Sequence, residues 1–264
     1  MAPVAPVTKI SKATVLPTGE NGQSLSMAEF LLLVGGLAIA LAGWVFLFRR
    51  PPEGIWPRTW ITAAGLSVYA MVALAVTDRL DTVMGPIRPE ALAAGLSVGG
   101  AWLVATHIGH AVLRRLFPGF LDQITDLYSL REGDRISTMV GPVVAMAGAE
   151  ELFFRGFVQG RLGLLGAVAV YTAVQVVAGK WALTLAALLG GIVWGGLLWW
   201  TDGLVAALVA HVLWTGALTF VWPLRGFGHR VGAADAAPVA GTAPCDRTVT
   251  AAVVEDSPAG RRPA

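Results

Sequence analysis

The sequence predicts an all-α fold, a polytopic membrane bundle of about seven transmembrane helices with one interfacial amphipathic helix. Of its 264 residues, 55% are hydrophobic and only 14% are charged, whereas soluble domains carry about 25% charged residues. The mean hydropathy is +0.66. The apolar residues fall into separate stretches, most of them near the ~20 residues that a spanning helix needs. These two observations exclude an ordinary soluble domain.

Charged residues, prolines and glycines separate the apolar stretches, and each stretch predicts one span. The predicted spans are 27–48, 59–77, 91–113, 136–157, 163–178, 182–200 and 204–224. Between the third and fourth spans, apolar residues recur at helical spacing against acidic and amide residues, which predicts the interfacial helix. Its apolar positions are Phe117, Phe120, Leu121, Ile124 and Tyr128.

One transmembrane domain, 27–225, is predicted between two polar tails, 1–26 and 231–264. The tails are rich in Pro, Ser, Thr, Gly and Ala, so we expect them to be disordered. The first tail lacks the apolar core of a signal peptide. The single cysteine, Cys245, falls in the second tail and excludes an internal disulfide.

The net charge of +2 is too small to indicate a nucleic-acid partner, and the basic residues lie mostly beside the spans, so membrane lipids are the expected surroundings. We expect an integral multi-pass protein of a bacterial cytoplasmic membrane. An outside N-terminus and seven spans would place the larger basic group in the cytoplasm. That group is Arg49, Arg50, Arg58, Arg114, Arg115, Lys180, Arg225 and Arg230.

Three charged residues stand inside the fourth predicted span: Glu150, Glu151 and Arg155. A charge near the bilayer centre costs roughly 2.5–3.5 kcal/mol, so such residues indicate function. Glu151 and Arg155 are four apart and can form an ion pair, whereas Glu150 is rotated by about 100° and would face a cavity. A desolvated carboxylate there suits a general base. An ion-pair cluster that locks helices together remains the alternative.

Two other polar residues inside the spans are candidates for the same site. His211 has Thr215 four residues further on and therefore on the same helix face. A neutral imidazole there would donate a hydrogen bond to an oxyanion or orient a water against Glu150. The alternative is a histidine that serves helix packing. Gln175, in a short apolar span, also requires a partner.

The sequence predicts no cofactor, although a divalent metal stays open. There is no His-Glu-x-x-His motif, so a metal would need Glu150, His211 and a third ligand to converge from separate helices. His107 and His110 lie three apart near the end of the third span, where an interfacial pair is the favoured interpretation.

The segment Glu150-Glu151-x-x-x-Arg155, followed by Gly156-Phe157-Val158-Gln159-Gly160-Arg161-Leu162, resembles the first motif of the CPBP family. That family comprises CAAX prenyl endopeptidases and bacteriocin-processing or self-immunity proteins. The stretch 190–196 and Ala210-His211 resemble the closing segments of the family in order and spacing. The resemblance covers 136–220.

The resemblance implies that Glu150 activates a water for attack on a peptide carbonyl, with Glu151 and Arg155 in support. His211 matches the histidine of the last family motif. Two positions depart from the pattern: Gln175 replaces the histidine of a Phe-x-x-x-His motif that begins here at Tyr171, and Thr215 replaces an asparagine. Gln175 and Thr215 still donate hydrogen bonds, which makes them candidates for orienting the oxyanion or the water.

Three hypotheses follow. The first is a glutamic-type intramembrane endopeptidase of the CAAX-protease family, acting on a membrane-tethered peptide or protein. The second is a catalytically weak or inactive relative that serves as a membrane immunity or scaffold protein. The third, supported least, is a transporter that uses the intramembrane acids for ion coupling.

Overall fold

The computed structural model describes residues 26–131 and 134–224, and all regular elements in these ranges are helices. The α-helices are α1 (Met27–Phe48), α2 (Ile55–Val76), α3 (Leu80–Met84), α4 (Pro89–Leu116), α5 (Phe120–Ser129), α6 (Ile136–Glu150), α7 (Gln159–Gln175), α8 (Trp181–Thr201) and α9 (Leu204–Gly216). Two π-helices, π1 (Glu151–Val158) and π2 (Ala217–Val221), and a 3-10 turn (Val176–Ala178) continue α6, α9 and α7. The predicted tails, apart from Ser26, and Cys245 lie outside the described ranges.

The all-α prediction is confirmed. Within these ranges, six helical runs are long and apolar enough to cross a membrane. They are Met27–Phe48, Ile55–Val76, Pro89–Leu116, Ile136–Ala178, Trp181–Thr201 and Leu204–Val221. Five of them agree with predicted spans to within a few residues at each end.

The fourth run is a pair of crossings, broken at Gly163. It has 43 residues. As a straight helix it would be about 65 Å long, twice the ~30 Å hydrocarbon core. Gly163 interrupts it with φ 68° and ψ 179°, a conformation that favours glycine. Beyond the break α7 folds back onto π1. The fold-back brings the ring of Tyr171 to 4.7 Å from that of Phe154. The structure therefore has about seven crossings, as predicted.

The packing of α4 on α9 depends on two glycines one helical turn apart. A Cβ atom at Gly95 would lie 2.7 Å from the carbonyl oxygen of Ala206, and one at Gly99 would lie 2.9 Å from the Cα atom of Ala210. Small residues at this spacing let helix backbones approach closely in membranes. The contact fixes the part of α9 that carries His211.

Aromatic side chains pack π1 against α1 and α2. Phe154 meets Trp44 edge-on at 6.3 Å, and Phe153 meets Tyr69 at 6.4 Å between ring centroids. Seven of the eight π1 residues are buried. The charged stretch is therefore enclosed by protein and does not face lipid.

The amphipathic helix predicted after the third span is α5, and it lies across one end of the bundle. Its buried Phe120 packs on Trp181 with ring centroids 5.0 Å apart. The Tyr128 hydroxyl donates to the Leu218 carbonyl and accepts from the Leu224 amide, at 2.9 and 3.0 Å. Burial raises the pKa of Tyr128, so its hydroxyl remains a donor. α5 therefore covers the end at which α1, α4 and α9 finish.

Candidate active site

A cavity of about 430 Å³ opens inside the bundle between α5 and the acidic stretch. Its wall is mostly apolar and is built from eight of the nine α-helices, all but α3. Glu150 and Gln175 lie on this wall, and Trp56 and Arg131 line it near the end covered by α5. The cavity therefore connects an intramembrane carboxylate with one end of the bundle.

Glu150 is the last residue of α6, about 20 Å along the helix from Ile136. Its side chain is 8% exposed, and the Tyr171 hydroxyl donates a hydrogen bond to Oε2. Among the described side chains, no cation lies within ion-pair distance of this carboxylate, although Arg155 and His211 are close enough to act on it electrostatically. Glu150 thus faces the cavity without direct neutralisation.

Glu151 belongs to a second, fully buried cluster. Its Oε1 lies 3.3 Å from Nη1 of Arg155 and 2.7 Å from Nδ1 of His211. The side chain of Glu151 is 0% exposed, and neither it nor His211 is among the residues lining the cavity. In a neutral His211 ring Nδ1 then carries the proton, and Nε2 is the acceptor. The predicted Glu151–Arg155 pair is present.

His211 contacts an acid with which the sequence did not pair it. It was expected to donate to an oxyanion or to orient a water against Glu150, and in the structure its Nδ1 lies 2.7 Å from Oε1 of Glu151. Two tertiary features explain the difference. α9 packs close to α4 through Ala210, and the backbone changes from α to π geometry at Glu151.

π1 is an element that sequence reasoning missed. A π-helix inserts an extra residue into a turn, and π turns are frequent at functional sites. Here it begins at the second acid and ends before Gln159. Sequence periodicity contains no signal for it, since the apolar residues of 151–158 fit an α-helix equally well.

Gln175 is held in one orientation by a tryptophan to which the sequence assigned no role. Nε1 of Trp44, a group that only donates, lies 2.7 Å from Oε1 of Gln175. The carbonyl side of the amide is thus used by α1, and the NH₂ side remains for another partner. Gln175 lines the cavity at the position where the family motif has a histidine. Its NH₂ group can therefore donate a hydrogen bond into the cavity in place of the imidazole.

The remaining polar candidates differ in their access to the cavity. Thr215 and His110 line it, but Oγ1 of Thr215 and Nε2 of His110 are buried without a hydrogen-bond partner among the described atoms. His107 stacks on Trp222 at 3.8 Å, and its Nε2 lies 3.1 Å from the Trp222 carbonyl oxygen. His107 is therefore engaged near the end of α4, whereas His110 faces the cavity.

The sequence left open a metal held by Glu150, His211 and a third ligand from separate helices. Within 26–131 and 134–224, no three side chains of His, Cys, Asp or Glu type are grouped so that they could hold a metal ion.

A family model for Type II CAAX prenyl endopeptidase Rce1-like proteins matches residues 133–217. This segment is similar to that family. The match contains both acids, Arg155, Gln175, His211 and Thr215, and it confirms the resemblance seen in the sequence. No curated protein and no solved structure matches the chain.

The matched segment spans about a third of the chain, and the helices before it complete the cavity. Trp44 of α1, Trp56 of α2 and Trp102 of α4 all line the cavity, and all precede the matched residues. The family segment thus supplies the acids, whereas the preceding helices supply much of the apolar wall.

Proposed function

We propose that this protein is an intramembrane endopeptidase that hydrolyses a peptide bond with water activated by Glu150. The observation that carries the proposal is the environment of this carboxylate: it lies on the wall of an apolar cavity, hydrogen-bonded by a phenol and without an ion-pair partner in the described structure. A carboxylate kept out of ion pairs in such a site is suited to general base catalysis.

The reaction requires one water and the carboxylate. A water next to Glu150 gives a proton to Oε1, the oxygen that Tyr171 does not use, while the water oxygen bonds to the peptide carbonyl carbon. The carbonyl electrons move to oxygen, and the NH₂ group of Gln175 is the donor for this oxyanion. The carbonyl then re-forms, the C–N bond breaks, and Glu150 returns the proton to the departing nitrogen. The products are a carboxylic acid and an amine.

Glu151, Arg155 and His211 support this centre from the neighbouring cluster. Their ion pair and hydrogen bond join α9 to the start of π1 through Glu151, one residue from Glu150. A buried charge requires this kind of pairing, because a lone carboxylate in an apolar medium is costly. We assign the cluster the task of holding the backbone that presents Glu150.

The proposed substrate is a membrane-tethered peptide or protein that reaches the cavity at the end covered by α5. The mostly apolar wall suits a chain delivered from lipid and gives no reason to expect a nucleic acid. We further propose that the protein works without a cofactor in the cytoplasmic membrane of a bacterium, surrounded by its lipids.

The test compares Glu150→Gln with wild type on a quenched fluorescent peptide carrying an acyl anchor, in proteoliposomes. We expect turnover to fall by about 10²–10⁴-fold, the range for loss of a general base. Glu90→Gln is the matched control, since Glu90 is an exposed acid in the first turn of α4. Equal turnover of Glu150→Gln and wild type would remove Glu150 as the base.

A second candidate is a non-catalytic membrane immunity or scaffold protein. It is favoured by the donors around the cavity: Trp44 occupies one side of Gln175, and the Thr215 hydroxyl is buried. If wild type does not cleave the anchored peptide and Gln175→His does, the binding role is the better description. If wild type cleaves the anchored peptide and Gln175→Ala does not, the endopeptidase is the better description.

A further inference from the structure

Tyr171 contacts both the proposed base and the neighbouring cluster. Its hydroxyl donates to Oε2 of Glu150, and its ring lies beneath the Arg155 guanidinium at 4.3 Å. The ring also packs on Phe154 with centroids 4.7 Å apart. With the residue only 5% exposed, these three contacts hold the phenol in one position.

The hydroxyl occupies one of the two carboxylate oxygens of Glu150 and leaves the other. Within the described ranges, Tyr171 is the side chain that hydrogen-bonds this carboxylate. A carboxylate rotates readily about its terminal bond, so one fixed oxygen determines where the second one points. A hydrogen bond from a neutral donor to a charged acceptor is also stronger than one between neutral groups.

We propose that Tyr171 is a positioning residue, which holds Oε2 of Glu150 so that Oε1 faces the cavity to take the proton of the attacking water. This inference rests on the proposed function and assigns a residue that the acidic motif does not include. Tyr171 acts through Glu150, and its hydroxyl keeps its proton throughout the reaction. The Arg155–ring contact links this position to the cluster around Glu151.

Tyr171→Phe removes the hydroxyl and keeps the ring with its contacts to Arg155 and Phe154. On the anchored peptide we expect kcat to fall about 10- to 100-fold, the equivalent of a lost hydrogen bond to a charged group, with KM within about twofold. The acidic limb of the pH–rate profile should move to higher pH, because the ionised carboxylate loses a donor that favours it.

The other groups that act on Glu150 are the same in wild type and in this variant. They are Glu151 and Arg155 on π1 and His211 on α9. A shift of the acidic limb therefore reports the Tyr171 hydroxyl. A merely structural role would lower stability without moving the limb, so thermal unfolding is measured alongside.

Tyr69→Phe is the matched control. Tyr69 also donates a hydrogen bond inside the bundle, to the Leu32 carbonyl, and its ring packs on Phe153 and Phe157. It does not contact Glu150. We expect this variant to keep the wild-type kcat and pH profile.

A second variant covers the case in which Tyr171→Phe does not fold. A ring-fluorinated tyrosine at 171 keeps nearly the same shape and makes the hydroxyl a stronger donor. The acidic limb should then move to lower pH, opposite to the shift in Tyr171→Phe. An unshifted limb in the folded variants overturns the proposal.

The outcomes separate this inference from the proposed function. If Glu150→Gln abolishes cleavage and Tyr171→Phe equals wild type, Glu150 is the base and Tyr171 does not position it. If Glu150→Gln cleaves like wild type, the base is wrong and the Tyr171 assignment fails with it.

If the wild-type protein does not cleave the peptide, an infrared pH titration tests the Tyr171–Glu150 hydrogen bond without an activity assay. The carbonyl stretch of protonated Glu150 is identified by its loss in Glu150→Gln. Its appearance at higher pH in Tyr171→Phe, but not in Tyr69→Phe, supports the hydrogen bond that positions Glu150. Identical titrations in the two variants overturn it.

Discussion

Glu150 and Glu151 are adjacent in the chain, yet they have different partners. Glu151 is wholly buried between a guanidinium and an imidazole, whereas Glu150 faces a cavity and is bonded by the Tyr171 phenol. The partners of Glu151 stabilise a negative charge on its carboxylate, whereas among the described side chains only a neutral phenol is bonded to the carboxylate of Glu150. The two acids should therefore separate stability from activity.

We expect Glu151→Gln to destabilise the protein by about 3–5 kcal/mol, the usual cost of leaving a buried charge such as Arg155 without its partner. Glu150→Gln should stay within about 1 kcal/mol of wild type, because the amide carbonyl still accepts from Tyr171. Denaturant unfolding in detergent measures both. Equal stability losses would show that both acids serve the ion-pair cluster that the sequence left open.

Residue-level prediction from sequence succeeded where chain neighbours decide the contact. The Glu151–Arg155 pair follows from a spacing of four. The hydroxyl of Tyr171 and the indole of Trp44 could not be predicted, because they reach the site only after α7 folds back and α1 packs beside it. The contact of His211 with Glu151 could not be predicted for the same reason.

At the level of helices, the contact between α4 and α9 decides where His211 lies. Gly99 touches the backbone of Ala210, the residue just before His211. The next residue in α4, Gly100, has open space where a Cβ would be placed. Gly99 and Gly100 are consecutive residues of the same helix, and they differ in whether a Cβ atom would meet another helix.

We expect Gly99→Ala to lower the melting temperature and the proteolytic turnover, because a Cβ at 2.9 Å from Ala210 Cα forces the helices apart and moves His211 from Glu151. Gly100→Ala, the matched control, should keep both, with a small gain from helix propensity. Thermal unfolding and the anchored-peptide assay measure the pair. Equal behaviour of the two variants would show that α4 does not position α9.

Element boundaries were predicted well where composition changes sharply and poorly where backbone geometry changes within apolar sequence. The ends of α1 agree with the predicted first span because Arg49 and Arg50 follow directly. π1 and the short helix α3 were missed. Neither element changes the spacing of the apolar residues around it. The sequence therefore contains no amphipathic pattern that marks where either one begins or ends.

On the scale of the whole molecule, helix directions group the basic residues at the end that α5 covers. α1 and α4 end there at Arg49, Arg50, Arg114 and Arg115, and α8 begins there after Lys180. Arg79 and Arg161 belong to the opposite end, where Arg79 donates to the Gly160 carbonyl. Basic residues concentrate on the cytoplasmic side of membrane proteins. Arg225 and Arg230, which were predicted to join the first group, lie outside the described ranges.

We expect single cysteines placed at Arg50 and at Arg115 to react with a membrane-impermeant thiol reagent from the cytoplasmic face alone. A cysteine at Arg88 should react from the other face. Each is made in a Cys245→Ala background so that the native thiol does not react. Labelling of Arg50→Cys and Arg88→Cys from the same face would contradict the arrangement of the crossings.

Glu150 is proposed to direct a water molecule onto a peptide carbonyl. Mass spectrometry of the products formed from the anchored peptide in heavy-oxygen water follows this step. We predict one heavy oxygen in the new carboxyl group with wild type and no product above background with Glu150→Gln. Labelled product formed equally fast by both proteins would contradict the claim.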